Sequence, residues 1–391
     1  MQRRSFLKGS GAVFVAVVGA GVWRAYDEGV FSVGEGPAYQ PWKDWQSQRD
    51  GPLTLVRAAI LAASPHNTQP WLFKVTDKQI ELYADTRRFP GALDPYLREQ
   101  HIGLGCALEN LILAATANGY NPTATLLPGK LQAIPSNPEP ELVARVDLSS
   151  GSRQASELYD AIPHRHTNRA PYDLRPVPPE VTDALTALTG GEPEVKIFLF
   201  NMESDRSRIV DLVAKANHDV YADPDVERGS QQWIRWNWRD IQKYRDGLTL
   251  DAFGLPPLTT AILKITPKPW LKMFAPRGNG DPYADLLRAT PVFGLIAVRD
   301  RYDQEQSLRA GRIWQRAHLF LTSRGIAGRP INEAVELIDH ERLRNQDPQT
   351  SAQLAELTHD AAWQPTFMFR IGYAIRPAHA SPRRPAKDVM I

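Results

Sequence analysis

The chain has 391 residues, 42% of them apolar and 23% charged, which is enough for a large core or two and excludes a disordered polymer. Lys and Arg number 46 against 44 Asp and Glu, and a formal charge of +2 gives no support for nucleic acid as a partner. A single cysteine, Cys106, excludes an intramolecular disulfide, a CxxC redox pair and a cysteine-based metal site.

The chain opens Gln2-Arg3-Arg4-Ser5-Phe6-Leu7-Lys8, and an uncharged stretch follows from Gly9 to Trp23. That stretch is short for a membrane span, which needs about 20 apolar residues, and fits the apolar region of a secretory signal. The order Arg-Arg-x-Phe-Leu-Lys resembles the twin-arginine signal. The resemblance implies a signal peptide over residues 1–25 and export by the twin-arginine machinery to the periplasm or cell envelope. Because that route carries folded proteins, it also directs attention to a non-covalent redox cofactor. Val18-Gly19-Ala20 is a weak cleavage site, so an uncleaved anchor stays open, as does a plain basic N-terminal helix. Residues 26–50 read as an aromatic, turn-rich linker.

Pro52–Ala63 is predicted as a helix, with Leu53, Val56, Ala59, Ile60 and Ala63 on one face. Two prolines break it in Ser64-Pro65-His66-Asn67-Thr68-Gln69-Pro70-Trp71. A hairpin (Leu72–Val75, Gln79–Tyr83), a long helix (Leu97–Asn118) ending at Gly119, and strands at Thr123–Leu127 and Leu142–Asp147 complete the first 150 residues. The pattern then starts again. Val181–Leu188 is predicted as a helix, Val195–Phe200 as a strand, Asp205–Tyr221 as a helix and Val292–Val298 as a buried strand. A second long helix (Gln304–Arg324) ends at Gly325, and a strand (Thr366–Tyr373) leads into a basic, proline-rich tail.

Gly105 precedes Gly119 by the same interval as Gly311 precedes Gly325. A glycine inside a helix costs up to ~1 kcal/mol relative to alanine, so two at one offset point to a close approach of equivalent helices in a duplicated chain, with chance as the rival. Residues 223–287 read as an insertion rich in aromatics: Trp233, Trp236, Trp238, Tyr244, Phe253 and Trp270, with turns at Gly254–Pro257 and Pro276–Pro282. These side chains either cap a core or form a lid over a flat ligand.

Gly103-Leu104-Gly105 lacks the third glycine and the preceding strand of a dinucleotide fingerprint. No Gly-x-Ser-x-Gly elbow, phosphate loop or His-Glu-x-x-His occurs, no metal site is expected, and nothing in the sequence brings two carboxylates together. Two segments remain. In the turn Ser64–Trp71, the amides of Asn67 and Gln69 suit the edge of a planar heterocycle, or else bond the local backbone. In Pro163–Tyr172, Arg165, Thr167 and Arg169 alternate, so an extended arm puts them on one side as an anion site, or they form a solvated basic loop.

Ser64-Pro-His-Asn-Thr-Gln-Pro-Trp71 resembles the Ser-x-x-Asn-x-Gln-Pro-Trp turn of the nitroreductase superfamily of flavin-mononucleotide (FMN) oxidoreductases. Arg165-His-Thr-Asn-Arg169 is similar to its phosphate arm, and Thr366–Tyr373 with Arg383-Arg384-Pro385 resembles its last strand and basic C-terminal arm. Here the turn lies in the first half and the phosphate arm in the second, which resembles the Acg-type branch of fused halves. The resemblance implies an α+β, nitroreductase-like fold: half 1 over 51–150, half 2 over 151–391, joined as an intramolecular pseudo-dimer with a lid at about 223–287 and no need of a second chain. It implies one complete FMN site and one decayed one. Arg165, Thr167, Arg169, Arg383 and Arg384 would hold the phosphate, and Ser64, His66, Asn67 and Gln69 would meet the ring or ribityl chain. Gly328, Arg329 and Pro330, within Ile326–Asn332, would supply contacts near the ring. No protein nucleophile is expected. The implied activity is hydride transfer to an electron-poor small molecule, a nitro compound or quinone, with NAD(P)H or another donor. The alternative is a flavin-sequestering protein with an occluded site.

Overall fold

A computed structural model describes residues 21–46, 51–133, 139–267 and 281–391. The twin-arginine pattern, Trp270 and most of the Pro276–Pro282 turn lie outside these residues. Among the described residues, no helix is long and apolar enough to cross a membrane.

The fold is α+β, and its two larger sheets are wholly antiparallel; a two-stranded parallel pair, Ile234–Arg235 with Leu248–Thr249, lies in the insertion. Helix α1 (Leu53–Ala59) buries Leu55, Val56, Ala58 and Ala59, and the backbone turns after Ile60, short of the predicted end. Strands β1 (Trp71–Val75) and β2 (Gln79–Ala84) form the hairpin, closed by Thr76 N–H donating to Gln79 O at 2.9 Å. The long helix α2 (Arg98–Ala117) and strands β3 (Tyr120–Leu126) and β4 (Glu141–Ser150) follow. The first sheet has the order β1-β2-β4-β3. Strand β5 (Val195–Phe200) begins the second sheet, and helices α3 (Glu203–Tyr221) and α4 (Pro224–Gln231) lead into the insertion. Strand β6 (Val292–Val298), the second long helix α5 (Gln304–Ser323) and strand β7 (Ala327–Pro330) come next. Helices α6 (Glu333–Leu343) and α7 (Gln349–Thr358) precede the last strand, β8 (Gln364–Ala374). The second sheet runs β5-β6-β8-β7, with the two-residue strand Tyr172–Asp173 added to β8. Both sheets are therefore strand-strand-helix-strand-strand units with one spatial order.

The two long helices cross at their glycines. A Cβ on Gly105 would lie 2.1 Å from Leu308 O, and one on Gly311 would lie 2.0 Å from Ile102 O. Each glycine thus faces the carbonyl three residues before the other, the reciprocal pattern of a two-fold contact. Only glycine permits this approach, as the shared offset suggests. Because α2 packs against α5, α1 and strands of the first sheet, it is buried nearly all round, charged residues included.

Helices α6 and α7 fall where the sequence gives no assignment. Ala334 through Glu341 of α6 are all buried, with Glu336, Asp339, His340 and Glu341 among them. Such a helix shows no apolar stripe to read. The C-terminal tail returns to the first half: Arg383 N–H donates to Ala38 O at 2.7 Å, and Ile391 N–H donates to Phe73 O at 3.0 Å. The tail thereby covers the outer edge of β1, which would otherwise offer unpaired backbone.

Candidate ligand-binding site

The turn after α1 is held in an unusual conformation. His66, Asn67 and Gln69 have φ of 46°, 55° and 52°. Left-handed backbone costs a non-glycine residue of order 1–3 kcal/mol and persists where the surroundings over-determine it. Here they do. Ser64 Oγ accepts from Gln69 N–H at 3.1 Å. Asn67 Nδ2 donates to Gly247 O and Pro382 O, each at 3.0 Å, while its Oδ1 accepts from Arg383. Gln69 Nε2 donates to Arg245 O at 2.9 Å, and its Oε1 accepts from Arg384 N–H at 2.8 Å. The two amides therefore clamp the insertion and the C-terminal tail onto the turn.

The insertion is fastened further by Asp246. This buried carboxylate takes Arg88 on one oxygen and Arg235 on the other, each at 2.5 Å. Trp233 Nε1 donates to Phe89 O at 2.9 Å, and Ser230 Oγ meets His66 Nε2 at 2.8 Å. Trp233, Trp236 and Trp238 do not line the cavity beneath; Ile234, Leu248 and Phe253 of the insertion do. Of the insertion aromatics named from the sequence, Phe253 thus borders the cavity and these three tryptophans do not. Arg88 and Arg235 lie against the Trp233 ring, and Trp238 packs on Gly29, so both indoles serve to dock the insertion.

The cavity has a volume of about 260 Å³ and lies between the turn, the Arg165–Arg169 arm, the insertion and both long helices. Ser64, His66, Asn67, Arg165, Thr167, Arg169, Arg329, Pro330 and Arg383 line it. Gln69, Gly328 and Arg384 do not. Gln69 is wholly buried as a clamp, Gly328 O accepts from Asn168 N–H, and Arg384 donates to Asp388 O. The sequence reading missed Trp42, Glu99, Cys106, Trp314, Glu333 and Glu336, all of which line the cavity. Glu333 and Glu336, one helical turn apart in α6, carried a spacing signal, but nothing local tied them to Glu99.

The cations fall into two groups. Arg165 donates to Leu61 O at 3.1 Å and approaches His318 Nδ1 at 3.4 Å; its neighbour Arg383 donates to Ala62 O at 3.1 Å. Arg169 donates to Ala252 O at 3.2 Å, with Arg329 and Arg370 nearby. Arg165 and Arg383 are buried, and neither forms an ion pair with a carboxylate among the described residues. Burial holds both below the ordinary arginine range. Arg165 Nε, Arg383 Nε and His318 Nε2 are buried without a partner. Burial also keeps His66 neutral, down to about 4, with Arg169 adding to the effect, and His166 down to about 3. Cations this deep without counter-charge are costly, and a bound anion relieves the cost. Ile102, Trp314 and Phe367 supply apolar wall to the same cavity.

Aligning α2 with α5 on their glycines pairs Gly103 with Arg309 and Cys106 with Arg312. Where Gly103 and Cys106 border the cavity, their counterparts fill space: Arg309 pairs with Glu192 at 2.7 Å, and Arg312 and Arg316 pair with Glu109 at 2.9 and 2.6 Å. Among the described residues, no group of three or more His, Cys, Asp or Glu is placed to hold a metal ion.

No family model matches the chain. It is 26% identical over 338 residues to a Mycobacterium tuberculosis protein named "Putative NAD(P)H nitroreductase Rv3131", covering 85% of this chain and 87% of that one. It is 30% identical over 123 residues to another from the same organism named "Putative NAD(P)H nitroreductase acg", covering 30% of this chain and 34% of that one. Among solved structures, a nitroreductase with bound FMN from Desulfitobacterium hafniense aligns at 12% identity with a TM-score of 0.35, covering 60% of this chain and 97% of that one.

Proposed function

We propose that this chain is an FMN-binding oxidoreductase of nitroreductase type that reduces an electron-poor small molecule. The observation that carries the reading is the cavity with two buried, carboxylate-free arginines, Arg165 and Arg383, beside the strained Ser64–Trp71 turn. The relative matched over 85% of the chain bears a nitroreductase name. Unpartnered guanidinium N–H groups suit a phosphate, and an apolar wall suits a flat ring, so the residues fit the cofactor. Arg165, Thr167, Arg169 and Arg383 would hold the phosphate, each charge-assisted bond contributing about 1.5–3 kcal/mol, not additively. His66 and the Arg329–Pro330 backbone would border the ring. When bound, FMN accepts and delivers hydride, and the protein orients it and controls access. Ser230, Ile234 and Leu248 of the docked insertion exclude bulk water on one side. Nicotinamide as donor is supported by the relatives' names.

The reading extends to organisation. Two halves, about 51–150 and 151–391, form an intramolecular pseudo-dimer with one working site; the matching strand orders and the reciprocal glycine contact support this. The Arg3-Arg4-x-Phe6-Leu7-Lys8 order supports export by the twin-arginine route. Changing both arginines to Lys should then hold the protein in the cytoplasm on fractionation.

The testing experiment is purification from a folded, exported or cytoplasmic pool. The protein should be yellow, release one FMN per chain on denaturation, and bleach with reduced nicotinamide under anaerobic conditions. A colourless protein that gains no flavin absorbance on incubation with FMN refutes the reading.

A further inference from the structure

The cavity has an acidic end that the flavin reading does not use. Glu99 and Cys106 both line it from α2, seven residues or about 10 Å apart along the helix. Cys106 lies beside Arg165, so Glu99 stands well away from the Arg165–Arg383 pair. Glu336 of α6 meets Glu99 side chain to side chain. Both are 6% exposed, and Glu336 Oε2 has no donor although it borders the cavity. Two carboxylates are acceptors only and cannot bond each other unless one carries a proton.

The surroundings favour that proton. Arg98 is shared: its Nε donates to Asp339 Oδ2 at 2.8 Å, and its Nη2 pairs with Glu99 Oε1 at 3.6 Å, which opposes the proton on Glu99 but leaves Glu336 without an ion-pair partner among the described residues. Asp339 in turn is shared with Arg301 and the Tyr302 hydroxyl. The other titratable groups around the pair are Asp94 before α2 and Glu333 on α6, which disfavour a second negative charge, and Tyr221 on α3, whose hydroxyl stays neutral beside them. Burial pushes Glu99 up to about 7, with Arg98 opposing and Asp94 adding, and burial together with repulsion from Glu99 pushes Glu336 well above the usual carboxyl range. The Tyr221 hydroxyl lies near Ser230, whose Oγ meets His66 Nε2 at 2.8 Å.

We propose that Glu99 and Glu336 hold one proton between them and that Glu336 delivers it to the carbonyl oxygen of a quinone-type acceptor in the cavity. This rests on the flavin reading. Bound reduced flavin would supply the hydride, and Glu336 supplies the proton. The carboxyl O–H bond breaks, an O–H bond forms on the acceptor, and a hydroquinone leaves. The pair then holds two carboxylates, whose repulsion draws a proton back from solvent.

The test uses the full chain with its bound cofactor and the variants E336Q and E99Q. An amide can still donate to the remaining carboxylate, so both variants keep the contact. By infrared spectroscopy, the parent protein should show a protonated carboxylic acid near pH 6 that disappears in both variants. In single-turnover reoxidation of the reduced protein, the ratio of the benzoquinone rate to the ferricyanide rate should fall about 100-fold in E336Q, because ferricyanide needs no proton. A parent protein without the infrared signal overturns the proposal, as does an unchanged ratio in flavin-loaded E336Q. If E336Q fails to fold, E99Q carries the same two readouts. A protein that never binds flavin sinks the cofactor reading and with it the delivery step, while the infrared signal, which belongs to the chain itself, separately decides whether the pair holds a proton.

Discussion

Replacing Gly105 by alanine tests the helix crossing on which the site is built. In an exposed helix that change stabilises by up to ~1 kcal/mol. Here the new Cβ would lie 2.1 Å from Leu308 O, whereas ordinary contact begins near 3.4 Å, so the helices must part by about 1.3 Å. Overpacking of this kind costs about 1–3 kcal/mol, and the obstacle is backbone, which has no rotamer to escape into. Gly311→Ala meets Ile102 O at 2.0 Å and should cost as much. Since either substitution separates the same pair of helices, the double variant should lose clearly less than the sum of the singles. Urea unfolding of the three variants measures this. Either single variant unfolding within 0.5 kcal/mol of the parent, or a strictly additive double, would refute the reciprocal contact. Because α2 supplies Ile102 and Cys106 to the cavity and α5 supplies Trp314, the single variants should also retain flavin less tightly.

Arg165→Met and Arg383→Met should each weaken FMN binding at least tenfold by equilibrium dialysis while leaving thermal stability equal or higher, because each removes a buried cation that lacks a counter-charge. Asp246→Asn should loosen the insertion by unpairing Arg88 and Arg235; faster proteolytic nicking within residues 223–267 and faster reduction of the bound flavin by dithionite would register it. For pH, Glu99 is raised in the fold from 4.5 to about 7, so the unfolded chain releases its proton first and stability falls as pH rises between those values. In E99Q that part of the slope should vanish from chemical-denaturation curves taken from pH 4.5 to 7.

Much of the architecture could be read in the residues because it is local. Val195–Phe200 and Val292–Val298 were bounded by turn residues and match the strands to the residue. The glycine offsets carried tertiary information because only glycine tolerates backbone against backbone. The alternation of Arg165, Thr167 and Arg169 placed all three on one cavity. What could not be read depends on contacts across the chain. Asn67 borders the cavity and Gln69 does not, and both amides are held by Gly247, Arg245, Pro382, Arg383 and Arg384, far along the sequence. The meeting of Glu99 with Glu336 has no sequence signature, because burial between α2 and α6 and not spacing creates it.

The crossed helices carry one further consequence. In an assembly of two identical chains, every substitution is made twice, so a plug closes both mouths or neither. A single continuous chain is free of that restriction. Arg309 and Arg312 can occupy one face while Gly103 and Cys106 keep the opposite face open. Those side chains also tie the helices together: Glu109 on one long helix grips Arg312 and Arg316 on the other, at 2.9 and 2.6 Å. On the pseudo-dimer reading proposed above, the position equivalent to the cavity has been given over to a rivet between the long helices.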